Sequence, residues 1–473
     1  MITEDIRANN AFYSNLFKEL VDFLQANPEM AKLQFDDENS SISDFMSDFR
    51  YNVSPWPVII DDATIRTFSR VVDNIPAVLI KVINHYVERN PSWLSEYLNV
   101  SEVALARFTK HAINTADLMC RYDAIMADKQ LKLVEINIGS SLGGWWSDWL
   151  YPEIQQALND VEVVKDWNHK YRRVSENTFK GVWQSIMRLK GADARGNVFI
   201  YLPDTATDNL SRVHEHLNDM VMSTKPAQYP NGKLHIFNDL DAIEWHSDGN
   251  ISFDGVIMDT LMLPIVRGDE LPLSFQAKLQ SYSEKNQFYY PDNEGLTLLS
   301  LKLLFALVHE EQTRAFLSDT EVALIDEHIP WSTKLENDVV FFQGEQHNTA
   351  EFITQNQAHL VFKKSQSMQG LHVIVGESVT PQQWQQFYEE NKDDSDWLIQ
   401  YYCAPDLIAS ADQNVGLSAY RMVWGIFGFD DKYAGAWCRG VSTGNDDTVI
   451  NLARGAVEFV VTEEQQQKRK LVL

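Results

Sequence analysis

Two hydrophobic periods run along this chain, and each predicts a different kind of element. Within residues 1–30, Leu16, Leu20 and Leu24 recur every four positions, which is the spacing of one apolar helix face. The same helical period returns across residues 62–110. The first part of the chain is therefore predicted to be mainly α-helical.

Residues 121–144, RYDAIMADKQLKLVEINIGSSLGG, break this helical period. RYDAIMA alternates loosely, Asp128-Lys129-Gln130 is a polar turn, and LKLVEINI is a β-rich run that ends in a Gly/Ser loop. The stretch therefore predicts a strand, a turn and a second strand.

Three polar residues of this hairpin carry candidate chemistry. Glu135 and Asn137 lie two positions apart, so they share one face of a strand. An antiparallel hairpin brings Asp123 up beside them. Three hard oxygen ligands on one face suit Mg²⁺. The spacing fits equally well with solvated polar residues on the outer face of the hairpin.

The middle of the chain alternates strands with helical segments. NVFIYLPD at 197–204 and FDGVIMDT at 253–260 are buried-type strands, and a helical stretch lies between them. This alternation predicts a small Rossmann-like α/β unit over roughly 195–270. The unit carries no GxGxxG, so no dinucleotide is assigned to it.

The last third is richer in β-hairpins. Residues 296–310 form an apolar helix that carries one lysine, Lys302. Residues 358–376 predict a strand, a polar loop with one glycine and a second strand, and 396–407 predict a strand that runs into a proline turn. A long hairpin with Asp-Asp at its turn follows.

Composition narrows the classes of partner. The chain has 473 residues, 44% of them apolar, with 40 Lys plus Arg against 67 Asp plus Glu and a formal net charge of −27. Such a surface repels phosphate backbones and anionic lipid, so nucleic-acid and membrane binding are not expected. A local basic pocket for nucleotide phosphates stays compatible with this charge.

The cysteines and the N-terminus favour a cytoplasmic protein. Cys120, Cys403 and Cys438 are the three cysteines, and none forms a CxxC pair, which fits a reducing compartment. The N-terminal residues are acidic and polar, without the apolar core of a signal peptide. No window approaches about 18 uncharged apolar residues, so no membrane span is expected.

Common catalytic motifs are absent or out of context. The sequence has no Walker loop and no HExxH. One GxSxG string occurs at 440–444, but Ser442 is followed by the polar turn TGNDDT rather than by the helix that a nucleophile elbow requires. The histidines are scattered, which argues against a His-based metal site or triad.

The remaining candidates form a set: two lysines on separate elements, a polar loop, a strand that could read a nucleotide, two arginines on a later hairpin, and the Asp/Glu/Asn trio. This set resembles the ATP-grasp superfamily, in the circularly permuted arrangement of glutathionylspermidine synthetase-like enzymes. Here Glu-Ile-Asn at 135–137 precedes both lysines, and no E-x-N follows Arg454, as in the permuted branch.

The resemblance assigns roles to the early hairpin. Arg121 and Asp123 match the family's R-x-D, and Glu135 and Asn137 match its E-x-N. It implies that Asp123, Glu135 and Asn137 hold Mg²⁺ on the ATP phosphates. It also implies that Arg121 stabilises the transferred phosphoryl group. Ser140, Ser141 and Gly143-Gly144 are expected either to approach the reacting centre or to form a plain turn.

The later stretches match the nucleotide-binding elements. Lys302 resembles the first nucleotide lysine, and Lys363-Lys364 matches the second, with Lys364 preferred; Gly370 lies in the candidate lid loop. Adenine recognition falls to the hinge strand: Gln400, Tyr401, Tyr402 and Cys403. Arg421 and Arg439 occupy the place of family arginines near the phosphates or substrate. Asn451 resembles the start of the family's N-x-x-x-G.

The resemblance also implies a fold, an α/β (α+β) ATP-grasp architecture, circularly permuted. Its regions are a mainly helical N-terminal region (1–118), the metal-binding hairpin (119–160), the Rossmann-like subdomain (161–290) and the nucleotide-binding subdomains (291–473).

The implied activity is an ATP-dependent carboxylate–amine ligase that works through an acyl phosphate and releases ADP and phosphate, with ATP and Mg²⁺ as cofactors. An amino acid, a peptide or a polyamine all fit as substrates, and a homodimer is left open. The alternatives are an ATP-grasp kinase or phosphotransferase and a non-catalytic nucleotide-binding protein. No Cys-dependent amidase domain is expected.

Overall fold

A computed structural model describes most of the chain. The described residues are 2–34, 52–110, 113–144, 146–159, 161–165, 167–203, 207–264, 271–367, 371–444, 450, 452 and 455–465. Gly370, Asn451 and part of the predicted lid loop lie outside these ranges, so their expected roles stay predictions.

The described helices follow one another in this order: α1 (Glu4–Tyr13), α2 (Asn15–Ala26), α3 (Asp62–Arg89), α4 (Pro91–Leu98), α5 (Glu102–Lys110), α6 (Ser147–Leu158), α7 (Glu162–Lys165), α8 (Val174–Lys190), α9 (Thr207–Ser223), α10 (Leu273–Ser283), α11 (Glu294–Thr297), α12 (Leu303–Leu307), α13 (Glu311–Arg314), α14 (Asp319–His328), α15 (Thr349–Gln355) and α16 (Pro381–Asn391).

The described strands are β1 (Asn52–Val53), β2 (Val58–Ile60), β3 (Met119–Ala127), β4 (Gln130–Ile138), β5 (His169–Tyr171), β6 (Val198–Tyr201), β7 (Leu234–Phe237), β8 (Ile243–Trp245), β9 (Ile251–Phe253), β10 (Val256–Ile257), β11 (Thr260–Met262), β12 (Ser332–Lys334), β13 (Val339–Phe342), β14 (Glu345–Asn348), β15 (Leu360–Lys364), β16 (Val373–Val375), β17 (Trp397–Tyr401), β18 (Ile408–Asp412), β19 (Gly416–Phe429), β20 (Lys432–Ser442) and β21 (Val457–Glu464).

A nine-stranded sheet joins the early hairpin to the C-terminal strands. Its order is β1-β21-β20-β19-β3-β4, with β18 beside β19 and with β2 and β5 beside β21. Both long hairpins turn on two residues with positive φ, Asp128-Lys129 and Asp430-Asp431. Such turns match the twist of the flanking strands, and Asp is among the residues that tolerate them. The predicted hairpins are confirmed at both places.

The N-terminal region is mainly helical, as predicted, and it covers this sheet. Helix α3 begins where the Asp61 side chain accepts from the backbone N–H of Thr64, and it runs to Arg89. Its buried Phe68 packs on Trp424 of β19, with ring centroids 5.4 Å apart. The region also supplies two short strands, β1 and β2, which pair in parallel with β21.

A separate four-stranded sheet, β12-β17-β15-β16, has its own hydrophobic core. Within this core Phe362 of β15 stacks on Trp384 of α16, with centroids 3.8 Å apart. The strand–loop–strand prediction for 358–376 corresponds to β15 and β16, which pair antiparallel.

The middle of the chain forms two three-stranded sheets. Strands β11, β6 and β7 are parallel, in that order, and β10, β9 and β8 are antiparallel. The parallel sheet, with α9, corresponds to the α/β unit predicted over 195–270. The expectation of one strand over 253–260 is wrong, because Asp254 and Gly255, both with positive φ, form the turn between β9 and β10. The whole is a mixed α/β structure. Within the described part of the chain no helix is both long and apolar enough to cross a membrane.

Candidate functional site

One face of the nine-stranded sheet gathers most of the predicted charged residues. Strand pairing sets Asp123 opposite Glu135, and Arg121 opposite Asn137. Residues paired in an antiparallel sheet share a face, as do residues two apart on a strand. The hairpin therefore presents all four side chains together, and the sequence spacing predicts this for Asp123, Glu135 and Asn137.

Asp123 is held by two arginines. Arg121 donates to both carboxylate oxygens, at 2.6 and 3.0 Å, and Arg439 of β20 donates to Oδ2 at 2.7 Å. Burial alone would raise the pKa of Asp123, but the two guanidinium groups outweigh it and the pKa lies below its ordinary value. Asp123 is thus a permanent anion that orients two cations.

Trp437 forms the surface on which these arginines rest. Its ring lies 5.7 Å from the guanidinium carbon of Arg121 and 5.2 Å from that of Arg439. The indole lies across the neighbouring strand at Gly425, where an added Cβ would come within 1.9 Å of the indole nitrogen. Only glycine leaves room for the ring, and the ring in turn orients the guanidinium groups.

Two lysines reach the hairpin from later elements. Lys302, just before α12, lies with its Nζ 3.1 Å from Glu135 Oε2 and donates to the carbonyl of Ser367 at 2.9 Å. Lys363 of β15 donates to Gln400 Oε1 at 2.6 Å and approaches the carbonyl of Val134 at 3.5 Å. The four-stranded sheet thus meets the nine-stranded sheet at strand β4.

Lys363 is buried beside another cation. Burial, followed by the charge of Lys302, lowers its pKa to about 8, although Glu135 opposes this shift. An anion bound beside this lysine would raise its pKa again, because an opposite charge stabilises the protonated form. Lys302 pairs with the partly exposed Glu135 carboxylate, and Lys363 adds a second ammonium group nearby, so the pair of lysines leaves positive charge that a phosphate group would neutralise.

Lys364 does not join this cluster. Adjacent residues on a strand point to opposite faces, and Lys364 instead lies 3.1 Å from Asp394 and 5.8 Å from the ring of Trp397. The expectation that Lys364 rather than Lys363 faces the candidate site is therefore wrong in its placement. The reason is that two consecutive lysines in a sequence do not show which of them points to a given face of the strand.

The hinge strand contributes a side chain as well as backbone. Gln400 accepts from Lys363 and donates to Ser332 Oγ of β12 at 3.0 Å. The N–H groups of Tyr401 and Tyr402 donate to the carbonyls of Trp331 and His359, both at 2.8 Å. Those two N–H groups are thus already bonded, which limits the backbone available for reading adenine.

The other predicted residues lie around this centre. Arg421 of β19 lies two positions from Val423, the cross-strand partner of Arg439, and so shares that face. The charge of Arg421 also acts on Tyr402, whose pKa is raised to about 12 mainly by burial. Cys403 follows the hinge strand and is partly buried.

The Gly/Ser loop after β4 closes over Arg121. Asp292 fixes its start by accepting from the Ser140 backbone N–H at 2.7 Å and from its hydroxyl at 2.6 Å. At Gly143, which has φ of +66°, an added Cβ would lie 3.4 Å from an Arg121 nitrogen. The loop thus lies against Arg121, and its expected approach to a reacting centre stays a prediction.

Sequence reasoning missed Glu458. This residue of β21 is fully buried and accepts from the Trp146 indole at 2.8 and 2.6 Å and from the Ser147 hydroxyl at 2.9 Å. It pairs across the sheet with Arg439. Burial raises its pKa to about 7. A lone glutamate in the apolar run VEFVV is the one sequence signal that could have drawn attention to it.

The donor set at the hairpin fits a hard cation. Within the described residues no group of three or more His, Cys, Asp or Glu side chains could hold a metal ion, and this trio contains only two carboxylates. Asn137, however, has a buried Nδ2 without a hydrogen-bond partner in the structure. Because an amide can turn over at little cost, this position can present an oxygen beside Glu135.

No protein-family model matches the chain, and no curated protein matches it in sequence. Among solved structures it is similar to a glutathione synthetase-like effector from Globodera pallida, in its apo form. The sequence identity is 10%, the TM-score is 0.54, and the match covers 94% of this chain and 95% of that chain. At this identity the likeness shows the fold: an α/β fold like that of a glutathione synthetase-like protein.

Proposed function

We propose that this chain is an ATP-dependent carboxylate–amine ligase with a circularly permuted ATP-grasp fold. One observation carries the proposal: two lysines from separate elements reach the early hairpin, Lys302 by an ion pair with Glu135 at 3.1 Å and Lys363 by its approach to the Val134 carbonyl at 3.5 Å. The order of these elements along the chain, with the hairpin first, resembles the permuted branch of the superfamily. The fold similarity to a glutathione synthetase-like protein agrees with it.

The geometry suits phosphoryl transfer from ATP to a carboxylate. A carboxylate oxygen attacks the γ-phosphorus, the bond to the β,γ-bridging oxygen breaks, and ADP leaves with an acyl phosphate formed. Such a transfer needs mainly positioning and neutralisation of charge. Lys302 and Lys363 neutralise the phosphates, and the guanidinium groups of Arg121 and Arg439 stabilise the charge on the transferred group.

The second step forms the amide. The amine attacks the carbonyl carbon of the acyl phosphate, phosphate leaves, and the nitrogen gives up a proton. Water competes with the amine, so the site must be closed. The Gly143-Gly144 turn, packed against Arg121, Phe427 and Trp437, covers one side of it.

Mg²⁺ would be held by Glu135 and Asn137, with Asp123 sharing its oxygens with Arg121 and Arg439, and it would supply charge neutralisation to the nucleotide phosphates. The arginines are oriented by Asp123 and Trp437 without that ion. The chain's own residues therefore preorganise the site for a triphosphate.

The test is trapping of the acyl phosphate. The purified protein is incubated with ATP, Mg²⁺, hydroxylamine and a library of amino acids and small peptides, and hydroxamate, ADP and phosphate are measured. A ligase releases ADP and phosphate in equal amounts with an acid-dependent hydroxamate. Stable phosphorylated product without hydroxamate indicates a phosphotransferase instead. Nucleotide binding without any turnover indicates a non-catalytic nucleotide-binding protein.

Glu135→Gln is the decisive variant in this assay. It removes the negative charge that pairs with Lys302 and that is expected to help hold Mg²⁺, and we expect turnover to fall by about 100-fold or more. Glu345→Gln, on the exposed strand β14, makes the same chemical change far along the chain and is expected to keep turnover within about twofold. Unchanged turnover in Glu135→Gln would remove the basis of the proposal.

A further inference from the structure

An apolar cavity continues the charged face of the sheet. On β3, Met119 lies two residues before Arg121 and shares its face, and Phe429 and Phe427 of β19 pair with Met119 and Arg121 respectively. The cavity floor thus begins at the cross-strand partner of Arg121 and extends one residue pair, about 7 Å, beyond it. Gly143 lines the cavity and also approaches Arg121.

The roof comes from three other parts of the fold. They are the loop after β4 with Ser140 and Gly143, helix α8 with Val174 and Thr178, and the parallel sheet with α9, represented by Leu202 and Leu217. None of these described lining residues is charged. The meeting of three elements around one void, next to the candidate site, is the arrangement of a substrate pocket.

The polar groups of the lining are already satisfied. The Ser140 hydroxyl donates to Asp292 at 2.6 Å and accepts from the Leu263 N–H at 2.9 Å. The Thr178 hydroxyl donates to the carbonyl of Val174 at 2.9 Å. A ligand group that enters the cavity finds hydrocarbon, so a charged or strongly polar group would lose its hydration without replacement.

The size of the cavity limits its occupant. Its volume is about 70 Å³. One water needs roughly 10–15 Å³ of such space, so the cavity suits on the order of five to seven heavy atoms. An aliphatic or aromatic amino-acid side chain fits this volume, and a long polyamine or acyl chain does not.

From this geometry we infer that the cavity is a specificity pocket for an apolar side chain close to the reacting carboxylate of the acid substrate. The inference rests on the proposed ligase function and adds the class of acid: an amino acid or peptide with an apolar residue at the reacting end. The carboxylate lies at Arg121 and the side chain lies over Met119, Phe427 and Phe429.

The test compares dipeptides Gly-X, with X being Gly, Ala, Val, Leu, Phe, Glu or Lys, in the hydroxamate assay with the unmodified protein. We expect kcat/KM to rise about 10- to 100-fold from Gly to Leu, and Glu and Lys to react no better than Gly. If Glu or Lys reacts as well as Leu, the ligase stands and the pocket inference is overturned. Absence of turnover with every acid overturns both.

Two leucines of the same subdomain provide a matched pair of variants. Leu202 and Leu234 are both buried, at 1% and 2% exposure, but only Leu202 lines the cavity. Leu202→Ala is expected to raise the Phe-to-Leu ratio of kcat/KM by about tenfold, and Leu234→Ala to leave it unchanged. Equal ratios in the two variants contradict the inference.

A filling variant covers the case in which Leu202→Ala does not fold. Thr178→Ile adds volume from α8, and we expect it to shift the preference from Leu to Ala by about tenfold. A side-chain preference that is identical to that of the unmodified protein would contradict the assignment of this cavity.

Discussion

At the scale of single residues, the candidate site is defined by charges that the fold buries at a cost to stability. Lys363 is buried close to the like charge of Lys302. Glu458 is buried opposite Arg439 on the neighbouring strand, and it accepts hydrogen bonds from the neutral side chains of Trp146 and Ser147. Buried groups of this kind lower stability unless a ligand or partner compensates them. Such groups therefore mark places where a ligand is expected.

Lys363→Met should weaken nucleotide binding and stabilise the protein. The pKa of Lys363 falls from 10.5 to about 8 on folding, which corresponds to about 3 kcal/mol of destabilisation at neutral pH. Loss of the hydrogen bond to Gln400 reduces the gain in free energy of unfolding by about 1 kcal/mol. The net gain, about 2 kcal/mol, is expected below pH 8 and fades as the pH rises towards 10.5, because the unfolded lysine then also loses its proton.

Urea unfolding at pH 7 and pH 10, together with titration of a fluorescent ATP analogue, measures both effects. Lys364→Met is the matched control, since its side chain lies on the other face beside Asp394. We expect this control to keep its nucleotide affinity within about twofold and its stability within about 0.5 kcal/mol. The reverse pattern would place the nucleotide on the other face of the strand.

Glu458→Gln should flatten the dependence of stability on pH. Folding raises the pKa of Glu458 from 4.5 to about 7. The folded state therefore binds more protons between these values, and stability falls as the pH rises from 4.5 to 7. The neutral amide removes this slope, so the variant should gain on the order of 2 kcal/mol at pH 8 and nothing at pH 4.5.

Thermal or urea unfolding at these two pH values measures that difference. The hydroxamate assay at pH 8 separates a positioning role from a purely structural one. If Glu458 positions Arg439, the variant loses turnover while its stability rises. An equal gain at both pH values would show that ionisation of Glu458 does not cause the slope.

Some residues of the candidate site can be placed from the sequence alone, and others cannot. The two-residue period was sufficient to place Asp123, Glu135 and Asn137 on one face, because a hairpin with a tight turn fixes its own register. The same period does not show which of Lys363 and Lys364 faces the site, because both faces of this strand are buried and the pattern fits either orientation. Glu458 and Trp437 are brought to the site by pairing between distant strands, which a local pattern does not encode.

At the scale of elements, the central strands β3, β19 and β20 are fixed by a close approach at Gly425. This residue pairs with both Asp123 and Trp437, and the indole occupies the space above it. The sequence pattern predicts β19 and β20 as a hairpin, but it does not predict that the indole of Trp437 packs directly on Gly425. That requirement arises only when three strands lie side by side.

Gly425→Ala should destabilise the sheet and disorganise the two arginines. Its Cβ would meet the Trp437 indole nitrogen at 1.9 Å, and paired backbone on both sides prevents relaxation. We expect a loss of about 2–4 kcal/mol in urea unfolding and a fall in turnover. Gly444→Ala, where no atom of the described residues lies within 4 Å of the added Cβ, is the control and should change stability by less than about 0.5 kcal/mol. Similar losses in both variants would contradict the packing argument.

At the scale of the whole molecule, the nine-stranded sheet makes the two ends of the chain dependent on each other. β21 pairs with β20, but also with β1, β2 and β5 from the first part of the chain. The helical N-terminal region was predictable from its period, whereas its attachment through β1 and β2 was not, because strands of two or three residues carry no readable period. The order of folding units along the sequence therefore differs from their order in the sheet.

Removing β21 should therefore prevent the chain from folding, and not merely remove one strand from the sheet. Phe459, Val460 and Val461 are buried at 0, 0 and 3% exposure, and burial of three such side chains contributes roughly 5–9 kcal/mol. That sum is comparable to the whole stability of a typical domain, about 5–15 kcal/mol.

A chain that ends after Gly455 should show no cooperative unfolding transition by circular dichroism. A chain that ends after Gln465 keeps every strand pair of β21, including the bond from the Gln465 N–H to the Asn168 carbonyl at 2.7 Å, and should unfold as the full chain does. Cooperative unfolding of the shorter chain would mean that the early hairpin and the N-terminal helices fold without the C-terminal strands, and the site would then not be built by the joint sheet.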